Sequence, residues 1–372
     1  MLFALPTFNV VTLLVMALLS SFVYFVGYLL NTEGTISSRK NRKVLSFLGI
    51  SVVVIILSFF KYRFFQNIVY AQVLGHPSRY IFLIGISYSS FKMMHFIIES
   101  YKQKIERMTL LNFLNFIFFF PAFISGPINR YNHFCKQLEV SGEKGLGKDL
   151  SSGTERIIHG LFKKIVLCTV LYPYTFMSMQ TSITELNASQ IIIGLYAYAL
   201  YFYFDFGGYS DIAIGSARIM GIQLPENFNY PFLKRNIQQL WASWHMSLTT
   251  WLTDYIYWPL VRKLRKRELF RKRFLLLSNM SIFITFVICG MWHGEGANYV
   301  IWGGYHGLGL ATLNVYQRQK RKISNKAFRK YLSSRYSEWT GIALTFHFFV
   351  LGLIFFAFDV EQLRALFFKL LG

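Results

Sequence analysis

Apolar residues along this chain gather in long blocks separated by short polar links. Such blocks recur at 8–30, 44–60, 80–98, 110–126, 157–179, 191–204, 210–222, 274–291, 297–315 and 339–358. A helix needs about 20 apolar residues to cross a bilayer's hydrocarbon, so the pattern predicts membrane helices rather than the half-buried faces of a soluble bundle. Several blocks are shorter than that. Pro121 and the pair Gly207-Gly208 interrupt the pattern further, which predicts helix breaks and some tilted or re-entrant pieces. Roughly eight to eleven segments are expected to enter the membrane. The first formal charge is Glu33 and the first basic residue is Arg39, and the first block is too long for the core of a signal peptide, so it reads as a retained span. No repeat or low-complexity tract divides the chain, and the longest hydrophilic stretch, 132–156, reads as a loop. The prediction is an all-α polytopic membrane protein with a single transmembrane domain over 1–372.

Composition sharpens this picture. With 54% hydrophobic and only 15% charged residues, the chain carries more apolar surface than a soluble core of 372 residues encloses. Its 39 Lys and Arg against 17 Asp and Glu give a net charge of +22, which in a soluble protein would suggest nucleic acid. In a polytopic protein the same excess marks cytoplasmic loops and a lipid-facing role, with no nucleic-acid partner. It clusters at 39–43, at 262–273 with eight basic residues and one acid, and at 318–330 with seven basic residues and no acid. With all three clusters inside, block 274–291 runs outward and 297–315 returns, leaving Trp292-His293-Gly294-Glu295-Gly296 at or just below the outer surface. The 39 Phe, 23 Tyr and 7 Trp suit interfacial belts and aromatic-lined cavities alike. Cys135, Cys168 and Cys289 follow neither a disulfide nor a thiolate-metal pattern and read as apolar filler; no metal site is indicated.

Several chemical motifs fail. GEKGLGK at 142–148 has the spacing of a phosphate-binding loop, but Asp149 stands where a magnesium-binding hydroxyl is required, so it reads as a flexible loop. The chain has no G-x-S-x-G elbow, no H-E-x-x-H, and no His followed by Asp five positions later, which removes serine hydrolases, zinc proteases and the soluble glycerolipid acyltransferases.

What remains is a crowd of polar residues inside apolar sequence between 200 and 310. Asp205 and Asp211 flank the glycines of FDFGGYSD and read either as structural ion-pair partners, with Lys234 or Arg235 opposite, or as functional carboxylates. On a continuous helix over 241–260, Trp241, Trp244, His245, Leu248, Leu252 and Tyr255 share a stripe opposite Ser243, Ser247, Thr250 and Asp254. That is an amphipathic helix, either an interfacial anchor in which His245 only hydrogen-bonds a neighbour or one wall of a site. In GMWHGEG, His293 sits on a tight glycine-flanked connection, and imidazole is the side chain suited to shuttling a proton near neutral pH. His306, in WGGYHG, lies on a glycine-rich helical face and reads as packing.

Together these stretches resemble the membrane-bound O-acyltransferases. The matching pieces are GISYSSFK at 85–92, SGPINRYNHF at 125–134, FDFGGYSDIAIG at 204–215, PENFNYPF at 225–232, WASWHMSLTTWLTDYIY at 241–257 and GMWHG at 290–294, a motif core over about 80–310. The branch it looks like holds the alginate O-acetylases and the membrane acyltransferases of lipoteichoic-acid D-alanylation. PENFNYPF is similar to the first type and SGPINRY to the second, while the G-G-N-R element of acetylases is replaced by Val261-Arg262-Lys263-Leu264.

The resemblance implies a helical bundle with a central tunnel in a bacterial cytoplasmic (inner) membrane. It implies that His293 is the essential catalytic histidine and that His245 is also needed, to orient the acyl group or the acceptor or to stabilise an oxyanion. Trp244, Ser247, Trp292, Asp205 and Asp211 in the same motifs are candidate substrate-binding residues. The implied reaction moves acetyl or D-alanyl from a cytoplasmic thioester, acetyl-CoA or the phosphopantetheine of an acyl carrier protein, to hydroxyls of an extracytoplasmic polysaccharide or teichoic-acid-like polymer. No bound cofactor is expected, and a membrane-anchored or extracytoplasmic acyltransferase partner is. The rival reading is a transporter or scramblase of lipid-linked intermediates.

Overall fold

The computed structural model describes residues 10–69, 83–140, 146–178, 185–332 and 334–371. Six of its helices are long and apolar enough to cross a membrane: Thr12–Asn31, Arg39–Lys61, Asp149–Tyr174, Ala188–Ile219, Phe274–His293 and Arg335–Ala357. The chain forms two compact units, one of residues 1–160 with 209–225 and the other of 161–208 with 226–372.

The first unit holds α1 (Val10–Asn31), α2 (Arg39–Lys61), α3 (Arg63–Val69), α4 (Ile86–Tyr101), α5 (Leu110–Phe118), α6 (Tyr131–Val140) and α7 (Leu146–Leu161). Helices α1, α2 and α4 pack together, and Gly27 makes room on α1 for the Phe96 ring, which a Cβ there would meet at 2.3 Å. Phe96 stands 4.6 Å from Phe113 and 5.1 Å from Tyr131, ring centre to ring centre. The Tyr131 backbone N–H donates to His95 Nε2 at 3.0 Å, and buried Lys92 donates to the Phe116 carbonyl at 3.1 Å. Lys92 of GISYSSFK and Tyr131 of SGPINRYNHF therefore help to knit this unit together.

The second unit begins with a π-helical turn, Phe162–Leu167, and α8 (Cys168–Leu171). Next comes α9 (Ala188–Ile219), whose last turns belong to the first unit. It continues with α10 (Ile237–Trp241), α11 (Met246–Leu252), a π turn over Thr253–Tyr257, α12 (Trp258–Leu264), α13 (Glu268–Arg271), α14 (Phe274–His293) and α15 (Ala297–Lys320). It ends with α16 (Lys326–Leu332), α17 (Arg335–Ala357) and α18 (Val360–Leu371). The α14–α15 pair is its frame. A Cβ on Gly290 would lie 2.1 Å from the Tyr299 carbonyl oxygen and one on Gly303 2.3 Å from that of Phe286, so glycine lets the two backbones touch. Basic clusters 262–273 and 318–330 flank one end of this hairpin. His293 closes α14 at the other end, about 30 Å along the helix.

Three expectations change, and one expected break is found. Gly207-Gly208 does not break a helix: blocks 191–204 and 210–222 are one 32-residue helix, α9. A break within hydrocarbon strands backbone groups at several kcal/mol each, whereas a mid-helix glycine costs only about 1 kcal/mol. The stretch 132–156, expected as a loop, forms α6 and most of α7; of the GEKGLGK motif, 142–145 lie outside the described residues and 146–148 open α7. The break expected at Pro121 is present: α5 ends at Phe118 and a 3-10 turn follows at Phe120–Ala122. The helix predicted across 241–260 is broken at His245, which bears directly on the site. Residues 8–9, 80–82 and 179 at the ends of three predicted blocks lie outside the described residues.

Candidate active site

Helix α10 stops at Trp241 and α11 starts at Met246, with His245 between them at φ +44°, in the left-handed region. For a residue other than glycine this costs about 1–2 kcal/mol. The PENFNYPF segment holds it there. The Asn227 carbonyl accepts the Met246 N–H at 2.9 Å, the Asn229 N–H donates to the Ser243 carbonyl at 3.0 Å, and Phe228 and Trp244 form an antiparallel bridge. These bonds occupy backbone groups that a continuous helix would pair internally. On the far side of His245, Ser247 Oγ donates to Asn227 Oδ1 at 2.7 Å, so one fully buried asparagine grips both residues that follow the histidine. The His245 ring is 4% exposed and stands edge-on to Phe206 at 4.7 Å. It belongs to none of the six spanning helices, and burial lowers its pKa, favouring the neutral ring.

His293 is the last residue of α14. The turn after it admits only glycine, because a Cβ on Gly294 would sit 2.2 Å from the Tyr299 ring. Trp292, Trp302 and Phe356 surround the imidazole at ring-centre distances of 4.7, 5.1 and 5.2 Å.

His245 and His293 line the same cavity, of about 80 Å³. Phe202 and Phe206 of α9, Trp241, Trp244, Trp302 of α15, and Phe349 and Phe356 of α17 make its walls aromatic, and Thr249, Thr253 and Thr285 add hydroxyls. Such a chamber is largely apolar, has room for a small acyl group, and offers imidazole as its proton-transfer chemistry. Among the described residues no group of three His, Cys, Asp or Glu side chains is placed to hold a metal ion.

The family model of the membrane-bound O-acyltransferases matches residues 49–355. The chain belongs to this family. It is 33% identical to the teichoic acid D-alanyltransferase of Bacillus subtilis, over 82% of this chain and 76% of that protein. It is 30% identical to the probable alginate O-acetylase of Pseudomonas aeruginosa, over 80% of this chain and 56% of that protein. It is 29% identical to the peptidoglycan O-acetyltransferase of Helicobacter pylori, over 83% of this chain and 61% of that protein. The protein is therefore a multi-pass membrane acyltransferase, and the reading as a conduit without chemistry falls.

Of the other candidate residues in this acyltransferase, Trp244 lies on the cavity wall. Trp292 packs against His293, and Ser247 bonds Asn227, but neither is a wall residue. Asp205 pairs with Lys164, and Asp211 with Arg156 at 2.6 Å, instead of with Lys234 or Arg235, and neither carboxylate is on the wall. Six positions along an unbroken helix project about 120° apart, so the two acids meet different cations. The fully buried His306 lies behind Trp241 and Trp302, 4.9 Å from each ring, against Gly352, where a Cβ would meet Nε2 at 2.6 Å. Sequence reasoning did not single out Phe202, Phe206, Trp302, Phe349 or Phe356. Their signal was spacing: 202 and 206 are one turn apart on α9, and 349 and 356 two turns apart on α17.

Proposed function

We propose that this acyltransferase moves a small acyl group from a cytoplasmic thioester to a hydroxyl of a cell-envelope polymer, with His293 as general base. The observation that carries the reading is that two histidines from separate motifs line one aromatic cavity. The acceptor hydroxyl loses its proton to His293 as its oxygen attacks the thioester carbonyl, and the thiolate leaves. His245, fixed by its strained backbone, hydrogen-bonds the acyl group and orients it. The positive-inside rule supports donor entry from the cytoplasm, because clusters 262–273 and 318–330 flank the hairpin end opposite His293. Relatives named for D-alanyl transfer and for O-acetyl transfer match this chain at similar identity, so the acyl group is assigned by the donor that the enzyme turns over.

The test is transfer of labelled acyl groups by the full chain in vesicles, comparing acetyl-CoA with a D-alanyl-charged carrier protein. His293→Ala should abolish transfer while the variant remains folded in the membrane. Near-normal transfer by that variant removes the general-base role, and transfer from one donor without the other assigns the acyl group.

A further inference from the structure

WGGYHG at 302–307 carries a group that the reaction above leaves unused, the indole N–H of Trp302. Trp302 is 3% exposed and lines the cavity that holds both histidines. Its Nε1 has no hydrogen-bond partner among the described residues. The neighbouring His306 ring, 4.9 Å away, does not supply one, since both of its nitrogens are also unpartnered among the described residues. A buried donor left unpaired is costly and calls for an explanation, of which a catalytic role is one. The Trp302 ring stands 5.1 Å from that of His293 and perpendicular to it, on the side of the cavity where the proton is taken. Trp241 has a similarly unpartnered N–H, but its ring contacts are Phe286, Trp302, His306 and Phe349 rather than either cavity histidine.

We propose that the Trp302 indole N–H is the hydrogen-bond donor to the oxyanion of the tetrahedral intermediate. The inference rests on the acyl-transfer reading and adds a catalytic residue to it. As the acceptor oxygen bonds to the thioester carbon and His293 takes the hydroxyl proton, the carbonyl π pair moves onto oxygen. That oxyanion offers the Trp302 N–H an acceptor, which no described residue does. On collapse the C=O bond re-forms and the C–S bond breaks, and the thiolate leaves with the bonding pair and recovers a proton from the imidazolium. A donor paired only in the transition state accelerates the chemical step without tightening ground-state binding.

The experiment replaces Trp302 with 3-(benzothiophen-3-yl)alanine, which keeps the bicyclic shape and substitutes sulfur for N–H, alongside Trp302→Phe. The full chain is assayed in vesicles with whichever of acetyl-CoA or D-alanyl carrier protein the wild type turns over. The benzothienyl enzyme should lose about a hundredfold in kcat, with KM within about threefold of wild type. Its melting temperature should be unchanged or raised, a combination that a packing role does not produce. The same replacement at the exposed Trp339 should leave kcat unchanged. An active wild type whose benzothienyl variant keeps at least half its kcat, or loses only in KM, overturns the oxyanion role alone. A wild type that transfers from neither donor overturns the acyl-transfer reading and this role with it.

Discussion

Replacing Asn227 by Ala removes a grip on His245 without touching the cavity. Asn227 Oδ1 accepts from Ser247 Oγ at 2.7 Å inside the protein, while the Asn227 backbone carbonyl binds the Met246 N–H and survives the substitution. The variant leaves a buried hydroxyl without its acceptor, at a cost of about 1–3 kcal/mol. That is comparable to the roughly 1–2 kcal/mol by which the left-handed backbone at His245 is disfavoured. The side-chain bond is thus large enough to decide how often the histidine holds its strained position. If most of the lost energy falls on that equilibrium, kcat should drop between about fivefold and a hundredfold. KM should move less, because the aromatic walls are intact.

Steady-state transfer in vesicles measures the kinetic split, and thermal unfolding in detergent measures the stability loss. Ser247→Ala removes the other end of the same bond, so the double variant should lose little beyond the larger single loss. Two results refute the reasoning: Asn227→Ala at wild-type kcat, or single losses that simply add.

Two further outcomes follow from charge. Reversing the basic residues of 262–273 to Glu should raise the KM for a carrier-protein donor severalfold and make it less sensitive to salt, read from donor titrations at two ionic strengths; unchanged donor kinetics would leave those charges to orientation and lipid alone. Lys164 and Asp205 are an ion pair with side chains 31% and 24% exposed, so Lys164→Ala and Asp205→Asn should each lower the melting temperature, by less than a fully buried pair would, while the double variant recovers part of the loss. An Asp205→Asn enzyme that loses kcat but not stability would return that carboxylate to the reaction.

Sequence revealed the spans well where hydropathy alone decides them, as in α1, α2, α14 and α17. It misjudged the places where a backbone bond from elsewhere decides. Nothing in 241–252 itself forbids a helix running through His245; the break there comes from Asn227 and Asn229, more than a dozen residues earlier, which no local window contains. It misjudged Gly207-Gly208 for the opposite reason, applying a rule from water, where a broken helix finds other partners, to hydrocarbon, where it does not.

The cavity's aromatic walls were hidden by a third effect. In water the buried face of a helix is picked out by its contrast with a polar one, but α17 is apolar on the face that meets lipid and on the face that meets the protein. Phe349 is 1% exposed and Trp339 67% exposed, yet hydropathy scores both simply as membrane residues. The contrast that survives in a bilayer is chemical. His245, His293 and the glycines near His293 are costly in lipid or disfavoured in a helix unless something compensates, and in this chain they mark a region where two motifs converge on a cavity. Polar and small residues thus pointed to the site, while the residues that shape it looked like ordinary span.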